Sequence, residues 1–397
     1  MDLSERLQRI VGAPKSQAKK SSIPLEELVS GEWSQKGQSK VFVAFSSRTW
    51  ALKQKIYSRL RNFIGLGVDI SPEKVLFLDT ETTGLAGGTG TYAFMVGLGF
   101  LDSGKFQTVQ LFMPKFSDEP HMLSILKKYL DGKTHIVTFN GKTFDIPLLE
   151  TRYLMMRERN PFSEFDHLDL LHTSRIIWKK RLQSCSLQSL EYNLFRKVRE
   201  GDIPGELIPE VYFDYVRTSD PTDMARVFEH NQQDVVSMMS LLEMVGSIFE
   251  TPDSPFFEDP IEQLSVGQYL WRKGFSCEGM EYMQRASDTP NKKLRDEAMF
   301  ALGRLCKKQG EFEKAAKHFE NVCHDPCQVV EALVEQAKHF EHRTKDISKA
   351  LEATEKAMSV ARQINLLSEN EMAAPTIDDL RHRHERLVRK KSRLDSH

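Results

Sequence analysis

The sequence predicts an α/β protein: a mixed sheet flanked by helices, followed by an all-α domain of helical repeats. Three observations lead to this fold class. Short apolar runs typical of strands alternate with helical patterns between residues 75 and 250. Strand-like segments disappear after the stretch at residues 251–260, TPDSPFFEDP. Beyond it, similar helical segments recur about thirty-five residues apart.

Composition and charge indicate a globular chain without a membrane span. The 397 residues are 40% hydrophobic and 28% charged, and no run of eighteen apolar residues occurs. The amino terminus is charged throughout and lacks the apolar core of a signal peptide, so we expect a cytoplasmic location. Residues 1–74 carry a net charge of +6, residues 381–397 carry +5, and the remainder is near −12. Basic ends predict either contact with a polyanion or solvated termini.

The chain has five scattered cysteines: Cys185, Cys277, Cys306, Cys323 and Cys327. An odd and scattered set indicates reduced thiols, not a disulfide framework. His318, Cys323, His324 and Cys327 lie close together in the sequence and could bind zinc. Their spacing matches no common zinc finger, so we interpret them as packing residues and a helix end.

The first two of three predicted domains are residues 1–74 and 75–250. The first is a basic segment in which Lys40–Ser47 has the composition of a short strand. In the second, Val75–Asp79 is a predicted buried strand, and a hairpin with its turn at 102–105 follows. The segment THIVTFN predicts another buried strand, KTFDIPLLETRYLMMRER a helix, and FDHLDLLHTSRIIW a strand leading into a helix. A long helix is expected from about residue 223 to 249.

The third predicted domain, residues 251–397, consists of helical repeats with a basic tail. At an offset of thirty-five residues, Gly310 aligns with Lys345 and Phe312 with Ile347. Helical hairpins recurring at this interval resemble tetratricopeptide repeats, and the alternative is an unrelated helical bundle. A repeat domain of this kind predicts a binding surface for a protein partner.

Two carboxylates stand at the end of the first strand of the second domain. Asp79 and Glu81 are two residues apart, so on a strand their side chains point to the same side. Two like charges there repel each other and lose hydration, which destabilises the fold unless a cation lies between them. Hard oxygen ligands favour Mg²⁺ or Mn²⁺. A D-x-E pair alone is weak evidence, because many such pairs are solvated strand ends.

Two further acids strengthen the prediction of a metal site. Asp145 lies in the first turn of a predicted helix, just after a buried strand. Asp234 shares the apolar face of the long helix with Val227, His230 and Met238 by the three-and-four spacing. An acid on an inward-facing helix surface requires a partner.

The segments LDTETTGL, NGKTFDIPLL and HNQQD, in this order, resemble the three motifs of the DEDD 3′–5′ exonucleases, which share a ribonuclease H-like fold. GLAGGTGTYAFMVGLG, LDLLHTSRIIWKKRLQSCSLQSLE and DIPGELIPEVYFDYVRT are similar to the bacterial YprB-type ribonuclease H-like proteins. The likeness covers roughly residues 22–250. The three motifs are specific together, whereas each one alone is not.

The resemblance implies a metal-dependent nuclease that hydrolyses phosphodiester bonds, a 3′–5′ exonuclease on single-stranded DNA or RNA. Asp79, Glu81 and Asp234 would hold one Mg²⁺ or Mn²⁺ ion, and Asp79 would bridge to a second ion supported by Asp145. Two ions ~4 Å apart would activate a water molecule and stabilise the leaving oxygen.

The third motif departs from both common subtypes of the family. One subtype has Tyr four residues before the last Asp, and the other has His five residues before it. Here His230 lies four residues before Asp234, one helical turn away on the same face. His230 is therefore a candidate general base or water-positioning residue. Its alternative role is to orient Asp234 or to pack.

Several residues are candidates for contact with nucleic acid. The backbone at Thr82 and Gly84 is placed to approach the terminal nucleotide, with Leu85 wedged under a base; a flexible hairpin is the alternative. Asn140 is a candidate substrate contact or a turn-forming residue.

A basic cluster and one more acid complete the candidates. Arg175, Lys179, Lys180 and Arg181 suit backbone phosphates, and a solvated helix end is the alternative. Asp169 is a fifth candidate acid or simply a strand end.

Two competing functions differ in class from an exonuclease. One is a nucleic-acid-binding or scaffold protein with a residual nuclease fold, against which the intact set of acids argues. The other is an endonuclease of ribonuclease H type. In that type the second acid comes from a separate helix, so a strand that carries both Asp79 and Glu81 argues against it.

Overall fold

The computed structural model describes residues 23–50, 71–84, 90–367 and 375–395. Contacts group these residues into two compact units. The first unit contains residues 23–50, 71–84, 90–170 and 187–242. The second contains residues 171–186, 243–367 and 375–395. The boundaries of the three predicted domains stay predictions.

The first unit is built on a mixed sheet, as predicted. Its strands within the described residues are β1 Gly31–Lys36, β2 Ser39–Thr49, β3 Val75–Thr82, β4 Ala93–Asp102, β5 Lys105–Phe112, β6 His135–Thr138 and β7 Asp166–Asp169. They form one sheet in the order β1-β2-β5-β4-β3-β6-β7. β6 runs parallel to its neighbours β3 and β7, and the other neighbouring pairs are antiparallel.

Helices flank this sheet, which confirms the predicted α/β class. Those before residue 251 are α1 Leu25–Leu28, α2 Glu119–Leu130, α3 Asp145–Met155, α4 Leu170–Trp178, α5 Leu187–Phe195, α6 Ile208–Thr218 and α7 Thr222–Glu250. Short 3₁₀ turns lie at Pro72–Lys74, Phe116–Asp118 and Gly205–Leu207. The predicted long helix corresponds to α7, and the predicted hairpin corresponds to β4 and β5.

Two glycines on β4 let helix α7 approach the sheet closely. A Cβ atom on Gly97 would lie 2.1 Å from Oδ1 of Asn231, and one on Gly99 would lie 2.5 Å from Cγ1 of Val235. Both distances are far below any real contact of a Cβ atom, so only glycine fits at these positions. The glycines therefore fix where the polar face of α7 meets the central strands.

The second unit is helical after residue 250. Its helices in the described residues are α8 Pro260–Arg272, α9 Ser276–Ser287, α10 Lys292–Lys308, α11 Phe312–Glu320, α12 Pro326–His339, α13 Ile347–Leu367 and α14 Ile377–Asp395, with a π-helical turn at Phe340–Thr344. A helical region therefore follows the sheet, as predicted. None of the helices in the described part of the chain is long and apolar enough to cross a membrane.

The helices α8 to α13 form three successive pairs with similar turns. Gly274, Gly310 and Lys345 each adopt a left-handed backbone, with φ of 95°, 82° and 63°, between the two helices of a pair. Small residues bring the paired helices together, since a Cβ on Gly267 would lie 2.8 Å from the carbonyl oxygen of Gly279. The recurrence agrees with the offset in the sequence, while the assignment to tetratricopeptide repeats stays a prediction.

The basic carboxyl-terminal segment forms α14 and packs on this unit through buried Leu380 and Leu387. Arg386 Nη2 donates to Oε2 of the buried Glu341 at 2.7 Å, and Lys390 Nζ donates to Oε1 at 3.3 Å. Part of the positive charge at this end of the chain therefore neutralises an internal acid. Neither of the two sequence-based interpretations, polyanion contact or a solvated terminus, included this role.

Candidate active site

Strand β3 carries the first two predicted acids. Its run Val75–Leu78 is fully buried, Asp79 is partly exposed, and Glu81 is buried. Asp79 lies opposite Gly97 of β4, and the pairing register shifts between Glu81 and Thr82. The shift ends regular pairing immediately after the second acid.

Burial and neighbouring acids raise the pKa of both carboxyls on β3. Burial is the largest cause for Asp79 and Glu81, and the charges of Asp234 and Asp145 add to it, so the pKa of both carboxyls lies well above its usual value. A hydrogen bond from Asn231 Nδ2 to Asp79 Oδ2, 2.8 Å long, acts in the opposite direction. The structure thus brings Asp145 and Asp234 within electrostatic reach of the two acids on β3.

Asn231 is held in place by a second amide. Gln110 on β5 donates through Nε2 to Oδ1 of Asn231 at 2.9 Å and to the carbonyl oxygen of Phe228 at 2.8 Å. Because Oδ1 of Asn231 accepts this bond, its Nδ2 group is directed to Asp79. Asn231 is fully buried, so the donor to Asp79 has a fixed orientation.

Asp145 occupies the first turn of α3 and is buried. Thr80 Oγ1 donates to its Oδ1 at 2.5 Å. Burial raises the pKa of Asp145 to about 6, although the hydrogen bonds from Thr80 and from backbone amides oppose the shift. The carboxyl of Asp145 is thus oriented by the strand that carries Asp79 and Glu81.

Asp234, on α7, contacts an arginine that the sequence did not single out. Arg199 Nη2 donates to Oδ1 of Asp234. Burial raises the pKa of Asp234, and the charges of Arg199 and His230 act against that rise. Arg199 is itself fixed by the buried Glu191, which accepts from Nε at 2.6 Å and from Nη2 at 2.7 Å. Glu191 therefore directs the guanidinium to Asp234.

His230 lies between two aspartates. Its Nδ1 is 2.8 Å from Oδ1 of Asp202, and its Nε2 is 3.6 Å from Oδ2 of Asp234. Burial acts to raise the pKa of Asp202, but the hydrogen bond and charge of His230 hold it below its usual value. The contact with Asp202 fixes the orientation of the ring, so that Nε2 faces Asp234.

Asp169 and Asn140 form a turn in front of Asp145. The buried Asp169 accepts the backbone amides of Asn140 at 2.8 Å and of Lys142 at 3.1 Å through its two oxygens. Asn140 has a left-handed backbone with φ of 69°. These contacts favour a turn-forming role for both residues over direct contact with an ion or a substrate.

The segment after Glu81 is described only in part. Thr82 Oγ1 donates to the carbonyl oxygen of Gly84 at 2.9 Å, and among the described residues no atom lies within 4 Å of the position of a Cβ on Gly84. The backbone at Thr83 and Tyr92 closes the base of this hairpin with an N–H to carbonyl bond of 2.9 Å. Leu85, Gly87 and Gly88 lie outside the described residues.

The basic cluster belongs to the second unit: Arg175, Lys179, Lys180 and Arg181. Lys180 Nζ donates to Oε1 of Glu297 at 2.6 Å, and Arg181 Nη1 donates to Oε2 of Glu258 at 2.8 Å. Arg181 Nε also pairs with the buried Glu262. Two of the four cations are thus committed to ion pairs, whereas Arg175 and Lys179 are exposed.

The donor set of the site fits a divalent cation. Four carboxylates supply hard oxygen ligands, and the cations that act on them in the described part of the chain, Arg199 and His230, both act on Asp234. The four acids are not a tight cage, however. In the described ranges, the ligand atoms that all lie within 4.8 Å of one another are those of Asp296, Cys323 and His324.

The mixed sheet, with helices on it and acids on β3, α3 and α7, defines a ribonuclease H-like nuclease fold. A family model described as RNase_H superfamily matches residues 76–245. Over 291 residues the chain is 32% identical to the protein YprB of Bacillus subtilis (strain 168). This alignment covers 72% of this chain and 70% of YprB. The chain therefore belongs to the YprB family of the ribonuclease H superfamily, and the resemblance to the YprB-type proteins is confirmed.

Sequence reasoning missed four residues that shape the site: Gln110, Arg199, Asp202 and Asn231. Asn231 lies within the quoted motif HNQQD, and Asp202 lies within the quoted segment DIPGELIPE, so the family likeness could have found both. Arg199 and Gln110 carried no signal, because their contacts with α7 span 35 and 121 residues of sequence.

Proposed function

We propose that this protein is a metal-dependent 3′–5′ exonuclease that acts on single-stranded DNA or RNA. The observation that carries the proposal is the group of four acids on a ribonuclease H-like nuclease fold, in which burial and neighbouring acids raise the pKa of Asp79 and Glu81. Nucleases of this superfamily generally use divalent metal ions. Charges left uncompensated by the protein are what such ions would neutralise.

Asp79, Glu81 and Asp234 would hold one Mg²⁺ or Mn²⁺ ion, and Asp79 and Asp145 a second. When bound, the ions would supply Lewis-acid stabilisation of the phosphodiester and activation of water. The chain itself orients the ligands: Asn231 fixes Asp79, and Thr80 fixes Asp145. The hydrogen bonds that orient these carboxylates would reduce the reorganisation needed when the ions bind.

His230 is proposed to accept a proton from the attacking water or to position that water. The support is its place between Asp202 and Asp234, with Nδ1 held by Asp202 at 2.8 Å. Holding one ring nitrogen sets the orientation of the other, as in many catalytic histidines. Asp202 acts through His230 and is a positioning residue.

Two surfaces are proposed to contact the substrate. The segment with Thr82, Gly84 and Leu85 would meet the terminal nucleotide, and exposed Arg175 and Lys179 would contact backbone phosphates. We also assign the helical region a protein partner, on the strength of its recurring helix pairs.

One contact favours a second candidate, a nucleic-acid-binding or scaffold protein with a residual nuclease fold. Arg199 supplies Asp234 with a counter-charge from within the chain. A site that no longer bound metal would be stabilised by such a contact. Asp79, Glu81 and Asp145 have no comparable cation among the causes of their pKa shifts, which supports the nuclease.

End-labelled DNA and RNA, single- and double-stranded, test both candidates. The pure protein is incubated with each substrate in Mn²⁺, Mg²⁺ or EDTA, beside an Asp79→Asn variant. Stepwise shortening from the 3′ end that requires metal and is lost in the variant supports the exonuclease. Binding without cleavage under all conditions supports the scaffold, and cleavage only at internal positions supports an endonuclease.

A further inference from the structure

A second group of ligand-type side chains lies far from the nuclease motifs in the sequence. Asp296 is on α10, and Cys323 and His324 are in the loop between α11 and α12. Their ligand atoms all lie within 4.8 Å of one another. The set is chemically different from the nuclease site because it offers one sulfur, one nitrogen and one oxygen ligand.

The distances within this group approach those of a tetrahedral metal site. Cys323 Sγ is 3.2 Å from Nδ1 of His324, and that Nδ1 is 3.2 Å from Oδ1 of Asp296. Zn²⁺ bonds of ~2.0–2.3 Å place neighbouring tetrahedral ligand atoms about 3.3–3.6 Å apart. Small side-chain rotations would convert these contacts into the edges of a coordination polyhedron.

The carboxylate of this group is held by the backbone. Asp296 is fully buried, and its Oδ2 accepts the amides of Cys323 at 3.2 Å, His324 at 2.5 Å and Asp325 at 2.7 Å. Three backbone amides therefore fix the orientation of this carboxylate. Oδ1 is left facing His324, which is the arrangement of a ligand oriented by outer hydrogen bonds.

We propose that Asp296, Cys323 and His324 bind one Zn²⁺ ion. The ion would take Oδ1 of Asp296, the Cys323 thiolate and the Nδ1 lone pair of His324, with the thiol proton released to solvent. Two negative ligands balance the charge of the ion. Because Cys323 is exposed, the fourth position is open to water.

Ligand chemistry separates this site from the proposed nuclease centre. Thiolate and imidazole favour Zn²⁺ over Mg²⁺, whereas the four carboxylates favour the harder ion. Bound Zn²⁺ would tie the loop before α12 to α10 and so stabilise the helical region. The sequence marked Cys323 and His324 as possible zinc ligands but did not indicate Asp296, which lies 28 residues before His324.

The ordinary alternative is that these contacts are only hydrogen bonds that anchor the loop. In that case the amides on Oδ2 of Asp296 would persist in any variant of Cys323, and no metal would bind. The two possibilities differ in metal stoichiometry and in the spectrum of a thiolate-bound metal.

The test uses the full chain with Asp79→Asn and Asp234→Asn, which removes two of the four proposed nuclease ligands, after chelator treatment. Zn²⁺ is titrated by calorimetry, and Co²⁺ is followed by its thiolate charge-transfer absorption. We expect one equivalent of Zn²⁺, the Co²⁺ band, and a higher melting temperature with Zn²⁺. Cys323→Ser and His324→Ala should each weaken binding by more than the ~10–100-fold typical of an outer-shell partner.

The matched control is Cys327→Ser, which removes an exposed thiol at the start of α12 that is outside the group. It should bind Zn²⁺ as the parent does. Absence of stoichiometric Zn²⁺ in the parent, or equal affinity in Cys323→Ser, would overturn the proposal. So would loss of binding in Cys327→Ser with retention in Cys323→Ser.

Discussion

Glu341 in the helical unit and Glu81 on the sheet are both buried glutamates, and their surroundings are opposite. Glu341 has no solvent exposure and accepts hydrogen bonds from Arg386 and Lys390. Burial acts to raise the pKa of Glu341, but the hydrogen bond and the charge of Arg386 outweigh it and lower this pKa to about 2. Glu81 is surrounded by other acids, and burial followed by their charges raises its pKa well above the usual value. Burial alone therefore does not identify a functional acid. A buried acid that is surrounded by other acids and has no cationic partner is a candidate for a functional role.

The largest expected effect is the loss of hydrolysis in Asp79→Asn. The substitution removes one ligand and also one of the repelling charges. We expect metal-dependent cleavage to vanish, while the thermal stability of the protein in EDTA stays the same or rises. Cleavage assays and thermal melts check this, with Asp214→Asn, an exposed acid, as control. Cleavage at the parent rate in Asp79→Asn would refute the metal assignment.

The second effect concerns His230, which lies between Asp202 and Asp234. General acid–base help is worth ~10²–10⁴-fold, so His230→Ala should lower the maximal rate within that range at saturating Mn²⁺. Any rise of the rate with pH should disappear in the variant. The exposed His172 provides the control substitution His172→Ala. A higher Mn²⁺ requirement with an unchanged maximal rate would withdraw the catalytic role.

The third effect is on stability in the helical unit. Glu341→Gln keeps the shape of the side chain and removes the charge that Arg386 and Lys390 face. We expect a loss of about 2 kcal/mol, below the ~3–5 kcal/mol of a fully buried pair, because both cations are half-exposed. Urea unfolding measures it, and Glu355→Gln, an exposed partner of His384, should change stability by less than ~0.5 kcal/mol. An unchanged stability would mean that Glu341 is not balanced by α14.

The fourth effect is an opposite pH dependence of the two regions in EDTA. Asp145 has its pKa raised from 3.8 to about 6, so its contribution is present below pH 3.8 and is lost as pH rises through about 6. Glu341 has its pKa lowered from 4.5 to about 2, so its contribution is present above pH 4.5 and is lost as pH falls through about 2. At ~1.4 kcal/mol per pKa unit, we expect about 3 kcal/mol for each group over its whole pH range.

Hydrogen exchange followed separately in β3 and in α14, from pH 3 to pH 7, resolves the two trends. Asp145→Asn should flatten the first trend and Glu341→Gln the second. If local stability changed with pH in the same direction in both regions, the opposite pKa shifts of Asp145 and Glu341 would be refuted.

The smallest effect belongs to Arg199, which pairs with Asp234 in the acid cluster. Arg199→Gln removes a cation that shares Asp234 with any bound ion. We expect Mn²⁺ affinity to rise about tenfold, or ~1.4 kcal/mol, and the melting temperature in EDTA to fall. Calorimetry measures the affinity, and Arg226→Gln, from an exposed ion pair, is the control. Weaker Mn²⁺ binding would instead make Arg199 a residue that positions Asp234 for the ion.

Periodicity predicted the central elements of the fold. The buried runs of β3 and β6, the hairpin of β4 and β5, and the long α7 all carry local patterns that tertiary contacts reinforce. Strand β1 was missed because GEWSQK is largely polar, as suits a strand at the edge of a sheet. Edge strands take their conformation from a neighbour, so their own sequence is weakly informative.

The acids of the site were predictable, and their partners were not. Asp79, Glu81, Asp145 and Asp234 occur in local contexts where an unpaired charge is anomalous. Arg199 looks like any surface arginine until the fold places it on Asp234. The same holds for Arg386, which reaches Glu341 across 45 residues and had the composition of a solvated tail. Which cation pairs with which acid depends on contacts between residues far apart in the sequence, and the residues next to an arginine do not indicate these contacts.

Gly97, which has no side chain, limits the substitutions that can accumulate at positions 97 and 231 during evolution. Asn231 fills the space that any larger residue at position 97 would need, and it is also the hydrogen-bond donor to Asp79. A mutational scan should therefore find Gly97 intolerant, although it offers no ligand and no proton. Among descendants of a common ancestor, a larger residue at position 97 should appear only together with a smaller one at position 231. Such lineages would have to hold Asp79 in some other way or lose its chemistry.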